Sequence, residues 1–168
     1  MTELVQWCVE AWKDLPKEWV VFIISMIPIL ELRGGLVAAA LLNVNILTAV
    51  PLCILGNVLP VPFILWFITP LFARLKKTKL FRPIVEKLEA KAIRKKESIE
   101  KGYFWGLALF VGIPLPGTGA WTGSLIASLL NIPFKKSFPA VVLGVLLAAV
   151  IMSAVSYGLL GSIVALFA

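Results

Sequence analysis

Two ionisable residues stand inside an apolar run. Residues 27–43 read IPILELRGGLVAAALLN, with Glu31 and Arg33 directly ahead of Gly34 and Gly35. Glu31 is the only carboxylate between Glu18 and Glu86. Holding either charge at the centre of a membrane helix costs about 2.5 to 3.5 kcal/mol on insertion scales, so ionisable groups there mark substrate or ion pathways. The chemistry they can do is binding and proton exchange: Arg33 offers a positive charge to an anion, and Glu31 a carboxyl that can take up or release a proton. Mutual neutralisation is the structural alternative, but two residues apart they do not face each other on a regular helix, so pairing requires non-helical backbone. Covalent chemistry is poorly served. The chain has no histidine, the commonest catalytic base and metal ligand, and no nucleophile with a base beside it. We therefore expect no enzymatic activity, no cofactor and no metal. Cys8 and Cys53 suggest neither a CxxC site nor a disulfide framework.

The elements that position these residues repeat. Shifted by 88, residues 27–43 fall on residues 115–131, LPGTGAWTGSLIASLLN, bringing Pro28 onto Pro116, Gly35 onto Gly123 and Asn43 onto Asn131. The register continues without a gap to Pro51 on Pro139 and Gly56 on Gly144. Proline, glycine and asparagine matches carry weight because these residues punctuate backbone conformation. With 60% hydrophobic residues and a mean hydropathy of +0.98, the chain is far more apolar than soluble domains, at about 45–50%. It reads as an all-α integral membrane protein.

In each copy the run before the break and the run after it are too short to cross the bilayer, which takes about 20 residues. The expected unit is a re-entrant helical hairpin followed by a kinked transmembrane helix. Within the single membrane domain 1–168, copy one is residues 17–73 and copy two residues 102–168, with 161–168 either extending the last helix or turning back along the interface. The alternative for copy one is a single kinked helix over residues 19–42. In the spanning segment after it, Pro51, Gly56, Pro60, Pro62 and Pro70 bend the helix and free carbonyls, and Gly56 and Gly144 suggest close helix contacts. Residues 1–16 form an amphipathic helix, with Leu4, Cys8, Ala11, Trp12 and Leu15 on one face, lying on the membrane or docked on the protein. The first residues lack the basic start of a secretory signal.

Residues 74–101 hold 11 of the 16 Lys and Arg residues against four glutamates, a surplus equal to the net charge of +7. The positive-inside rule makes this helical linker cytoplasmic, which leaves nucleic-acid binding unneeded as an explanation. The uncharged loop 43–45 then faces outside and Lys135 and Lys136 inside, so the copies enter from opposite faces as inverted-topology repeats, with both termini outside.

Inverted repeats with broken helices place their breaks near the midplane, where half-helix ends supply partial charges. The N-terminal ends near Gly34–Gly35 and across Gly117, Thr118, Gly119, Trp121, Thr122 and Gly123 are expected to offer free N–H groups to an anion. In the shift Trp121 replaces Arg33 and Gly119 replaces Glu31. One wall of the cavity is charged; the other is aromatic with small polar groups, with Trp121 either packing or receiving an acyl chain or a cation.

At ELRGGL after a proline, and at PLPGTGAWTG in the second hairpin, the chain resembles the small multidrug export family, similar in plan to the DedA/VTT membrane proteins with two facing re-entrant hairpins. The resemblance implies a multi-pass transporter of bacterial or archaeal cytoplasmic membranes. It also implies, through the match of Glu31 and Arg33 to the first-hairpin pair of DedA-like proteins, proton-coupled movement of lipid phosphates. The second hairpin departs from that plan in having no arginine, only Thr118, Trp121 and Thr122. The expected partners are membrane lipids, a small amphipathic substrate and protons, and a homo-oligomer is compatible with the sequence. An anionic headgroup is favoured by Arg33 and two helix N-termini. Low dielectric favours the protonated Glu31 and Arg33 the ionised form, so substrate binding shifts the balance and couples protons to transport. Export of lipophilic cations, with Glu31 as counter-charge, and a non-transporting scaffold are the alternatives.

Overall fold

Helices and the turns between them make up all of the regular structure in residues 2–75, 102–115, 117–130 and 132–159, the residues described by a computed structural model of the chain. The elements are α1 (Thr2–Ala11), α2 (Lys17–Met26), α3 (Glu31–Leu41), α4 (Ile46–Val58), α5 (Val61–Leu75), α6 (Tyr103–Gly112), α7 (Ala120–Leu129) and α8 (Phe134–Ser153), which continues as a π-helical turn over Ala154–Leu159. The expected basic linker, apart from its first two residues at the end of α5, lies outside the described residues, as do Pro116, Asn131 and the tail 161–168.

Among the described residues, two helices are long and apolar enough to cross a membrane: Ile46–Ile68, counted through the α4–α5 junction, and Phe134–Gly158. The first is interrupted at Leu59–Pro60, where Pro60 and Pro62 carry no N–H for the carbonyls of Gly56 and Val58. By contrast, α2, α3, α6 and α7 have 10 or 11 residues each, about 15 Å at 1.5 Å per residue.

These short helices pair as hairpins. Lys17 Nζ, at the start of α2, donates to Leu42 O just past α3 at 2.9 Å. Lys136 Nζ, in the first turn of α8 that follows α7, lies 5.7 Å from the centre of the Tyr103 ring at the start of α6. The open end of α2–α3 sits by the far end of α8, where Tyr157 Oη donates to Val44 O at 2.9 Å; the open end of α6–α7 sits by the near end of α8, at Lys136.

Local structure recurs at the 88-residue shift. The N–H of Leu42 donates to Ala38 O and Ala40 O, and that of Leu130 to Ile126 O and Ser128 O. Val44 N–H bonds Ala39 O at 2.8 Å, and Ile132 N–H bonds Ala127 O at 2.9 Å. In the first copy this bond is half of a Schellman cap, completed by Asn43 N–H on Ala40 O, with Asn43 left-handed at φ 52. Asparagine tolerates that conformation, which explains its place at the end of the motif. The glycines set the packing. A Cβ at Gly56 would lie 2.6 Å from Phe22 O, and one at Gly144 would lie 2.7 Å from Ala108 O. Each brings a long helix onto the first helix of its own hairpin, as expected of small residues in membrane helices.

Two expectations are corrected. The break in the first hairpin is the turn 27–30, so Glu31, Arg33, Gly34 and Gly35 lie within α3 rather than in the break. Pro28 alone ends the helical run, and Gly35 serves packing, because a Cβ there would overlap Ser25 Oγ. The expected face of α1 is also shifted. Val5 and Cys8 are buried against the first hairpin, whereas Leu4, Ala11 and Leu15 are exposed. In an apolar medium hydrophobicity does not distinguish the docked face from the free one.

Candidate functional site

Glu31 and Arg33, both in the first turn of α3, diverge. Glu31 is left-handed at φ 51, a conformation that costs a non-glycine residue about 1–3 kcal/mol and persists where the surroundings dictate it. Both charged side chains are buried, 5% and 7% exposed, and both reach the tip of the other hairpin.

The Glu31 carboxylate sits on the N-terminus of α7. Oε2 accepts from Ala120 N–H at 3.2 Å and Oε1 from Trp121 N–H at 3.1 Å. Arg33 goes to the carbonyls that follow α6: Nη1 donates to Leu115 O, and Nη2 to Ile113 O at 3.2 Å and Thr118 Oγ1 at 2.8 Å. Thr118 Oγ1 in turn lies 2.8 Å from both Ile113 O and Leu115 O, closing the loop around the guanidinium. The physical logic is charge against helix end: the anion meets the positive N-terminus and the cation the negative C-terminus. No ion pair joins Glu31 to Arg33 among the described residues.

The contact is reciprocal. Trp121, the shifted counterpart of Arg33, donates its Nε1 to Met26 O at the end of α2 at 3.1 Å. Each hairpin thus caps the C-terminal end of the other's first helix, one with a guanidinium and one with an indole. Gly119, the counterpart of Glu31, supplies space. It is held at φ 147, and a Cβ there would overlap the Glu31 carboxylate.

Glu31, Arg33, Thr118, Gly119 and Trp121 are therefore brought together. Gly117, at φ 79, is in the same tip, but a Cβ there would meet nothing within 4 Å. Gly34, Gly35 and Gly123 are not part of the contact. Gly34 N–H is bonded to Leu30 O, and a Cβ at Gly123 would lie 2.5 Å from Val111 Cγ2, so this residue packs α7 on α6. Thr122 is half-buried and its hydroxyl makes no hydrogen bond among the described residues. The expectation that the α7 N-terminus offers free N–H groups at Ala120 and Trp121 is corrected: Glu31 occupies them. Sequence reasoning missed Met26, whose part is played by its carbonyl.

Asn57 is 2% exposed and its Oδ1 has no hydrogen-bond partner among the described residues. A buried unpaired amide oxygen costs about 1–3 kcal/mol, and the 88-residue shift places the buried Val145 at the same position. Asn57→Val should therefore leave the fold intact and raise the unfolding temperature in detergent. A lowered temperature would mean that the amide is satisfied in the folded protein.

No curated protein and no solved structure matches the chain. A family model described as "Putative small multi-drug export protein" matches residues 31–151, from Glu31 at the start of α3 through the tip of the second hairpin and most of α8. With that match over most of its length, all-helical described residues and two helices apolar and long enough to span, the chain belongs to this family of membrane proteins.

Proposed function

We propose that the chain is a transporter or flippase that carries an amphipathic anion, with Glu31 coupling its movement to protons. In this reading α2–α3 and α6–α7 are re-entrant hairpins of an inverted repeat. The observation that carries it is the crossed capping at the tips: two short hairpins meet through hydrogen bonds and charges, a contact that can open and reform. Two lengths of about 15 Å end to end match a hydrocarbon core of about 30 Å, so the tips would meet at the midplane. The open ends of the hairpins, at opposite ends of α8, support entry from opposite faces. Exposed tryptophans at Trp7 and Trp19 near one end and Trp66 and Trp105 near the other support two interfacial belts.

The α7 N-terminus already holds an anion, the carboxylate of Glu31. A substrate oxyanion fits the same donors: protonation makes Glu31 a poorer acceptor, the two N–H groups turn to the headgroup, and Arg33 lies in the same tip. Proton and anion then bind together. Helix N-termini favour phosphate-like groups for the same reason. The family description favours a second reading, export of lipophilic cations along the Trp121 face, in which Glu31 must first leave the helix end that balances its charge.

The readings differ in sign. Protein in lipid vesicles should be stabilised against heat by polyprenyl phosphate or anionic phospholipid, and Arg33→Ala should remove the effect. Stabilisation by quaternary ammonium dyes alone, unchanged in Arg33→Ala, overturns the anion reading.

A further inference from the structure

Glu31 interrupts a helix that is otherwise ready to run from Pro28 to Leu41. The turn 27–30 already has the parts of a first helical turn. Ile27 is extended at φ −71 and ψ 129, the conformation of an N-cap residue, and its carbonyl accepts from Glu31 N–H at 2.8 Å. Pro28 follows at the position where a helix needs no N–H and where the fixed φ of proline suits it. Leu30 is right-handed at φ −88 and ψ −47, and its carbonyl accepts from Gly34 N–H at 2.7 Å. The two bonds between are missing. Among the described residues the N–H groups of Leu32 and Arg33 have no acceptor, and the carbonyls of Pro28 and Ile29, their partners in a continuous helix, have no donor. The interruption falls at the left-handed Glu31.

Both hairpins carry a positive φ at this position of the 88-residue shift, but by different means. Gly119 adopts φ 147 without a side chain to oppose it, so the second break needs no contact to hold it. Glu31 has a Cβ that disfavours φ 51, and what holds it there is the contact of its own carboxylate with the Ala120 and Trp121 N–H groups. We propose that residue 31 is the hinge of a two-state switch. When the carboxylate leaves the α7 N-terminus, Glu31 turns right-handed, the N–H groups of Leu32 and Arg33 bond the carbonyls of Pro28 and Ile29, and α3 lengthens by about one turn to begin at Pro28. Two backbone bonds and a relaxed residue favour the wound state; the two carboxylate bonds favour the interrupted one. The body of α3 is fixed by buried Leu32, Leu36, Ala38 and Ala39, whereas Pro28 and Ile29 are exposed, so the turn moves and the helix stays. Met26 lies directly ahead of that turn. Winding therefore draws its carbonyl from Trp121 Nε1 and parts the tips. The trigger, displacement of the carboxylate by a substrate oxyanion, rests on the transport reading; the winding rests on Glu31 alone.

The test is NMR of isotope-labelled protein in lipid nanodiscs, reading the Cα shift at position 31 and the exchange of the Leu32 and Arg33 amides with solvent. Glu31→Ala, which has no carboxylate and a Cβ that disfavours positive φ, should show a helical Cα shift and exchange at both amides slowed at least about tenfold relative to wild type. Glu31→Gln, whose amide oxygen can keep one of the two N–H groups, should lie between them. Wild type with added polyprenyl phosphate should move toward the Glu31→Ala values. Exchange at Leu32 and Arg33 unchanged in both variants overturns the switch, as does a Cα shift at position 31 that is already helical in the wild type. If both variants wind but polyprenyl phosphate neither protects these amides nor stabilises the wild type against heat, the switch stands and the anion reading fails. If polyprenyl phosphate stabilises the wild type while both variants exchange as the wild type does, the anion reading stands and the switch fails.

Discussion

Gly119→Ala should disconnect the two hairpin tips. The added Cβ falls on the Glu31 carboxylate, and φ 147 is a conformation that only glycine adopts without strain. The carboxylate must leave the Ala120 and Trp121 N–H groups, which loses charge-assisted hydrogen bonds of about 1.5–3 kcal/mol each on top of backbone strain of about 1–3 kcal/mol. A loss of at least about 4 kcal/mol is expected, read as a large drop in unfolding temperature in detergent. The steric part depends on Glu31, so Glu31→Gly added to Gly119→Ala should cost less than the sum of the two changes. A coupling above about 1 kcal/mol is the signature of groups in contact. Strict additivity would mean that position 119 acts through its backbone alone.

Glu31→Ala should separate binding from transport. Removing the carboxylate frees two N–H groups at the α7 N-terminus with Arg33 in the same tip, so an oxyanion meets no internal competitor. Affinity for an anionic phospholipid headgroup should rise about tenfold, equivalent to about 1.4 kcal/mol, while transport in vesicles should fall at least tenfold because nothing remains to displace the bound anion. Anion affinity should also lose its dependence on pH. Lost binding of quaternary ammonium ions would instead identify Glu31 as a cation's counter-charge, and a fall in anion affinity would mean that the anion does not bind at the α7 N-terminus. Glu31→Gln serves as control, since its amide oxygen can still accept from one of the two N–H groups.

Much of the site was legible because it is written in residues with strong local rules. Pro28 and the PLPGTG stretch announced the breaks, Gly56 and Gly144 the close helix contacts, and Asn43 the end of α3, each through a backbone restriction independent of what surrounds it. The 88-residue shift also paired Arg33 with Trp121 and Glu31 with Gly119, an asymmetry apparent before any contact was known.

What the tertiary structure decided is where the side chains go. Glu31 and Arg33 are neighbours in sequence, yet their partners lie 80 to 90 residues away. No local pattern records that one turns to a helix N-terminus and the other to a C-terminal end. The same holds for the break at 27–30, for Gly35 as a packing residue, and for α1 docking through Val5 instead of Leu4. In a membrane protein lipid-facing and protein-facing side chains are equally apolar, so composition determines that a segment is embedded, and only packing determines which face it buries.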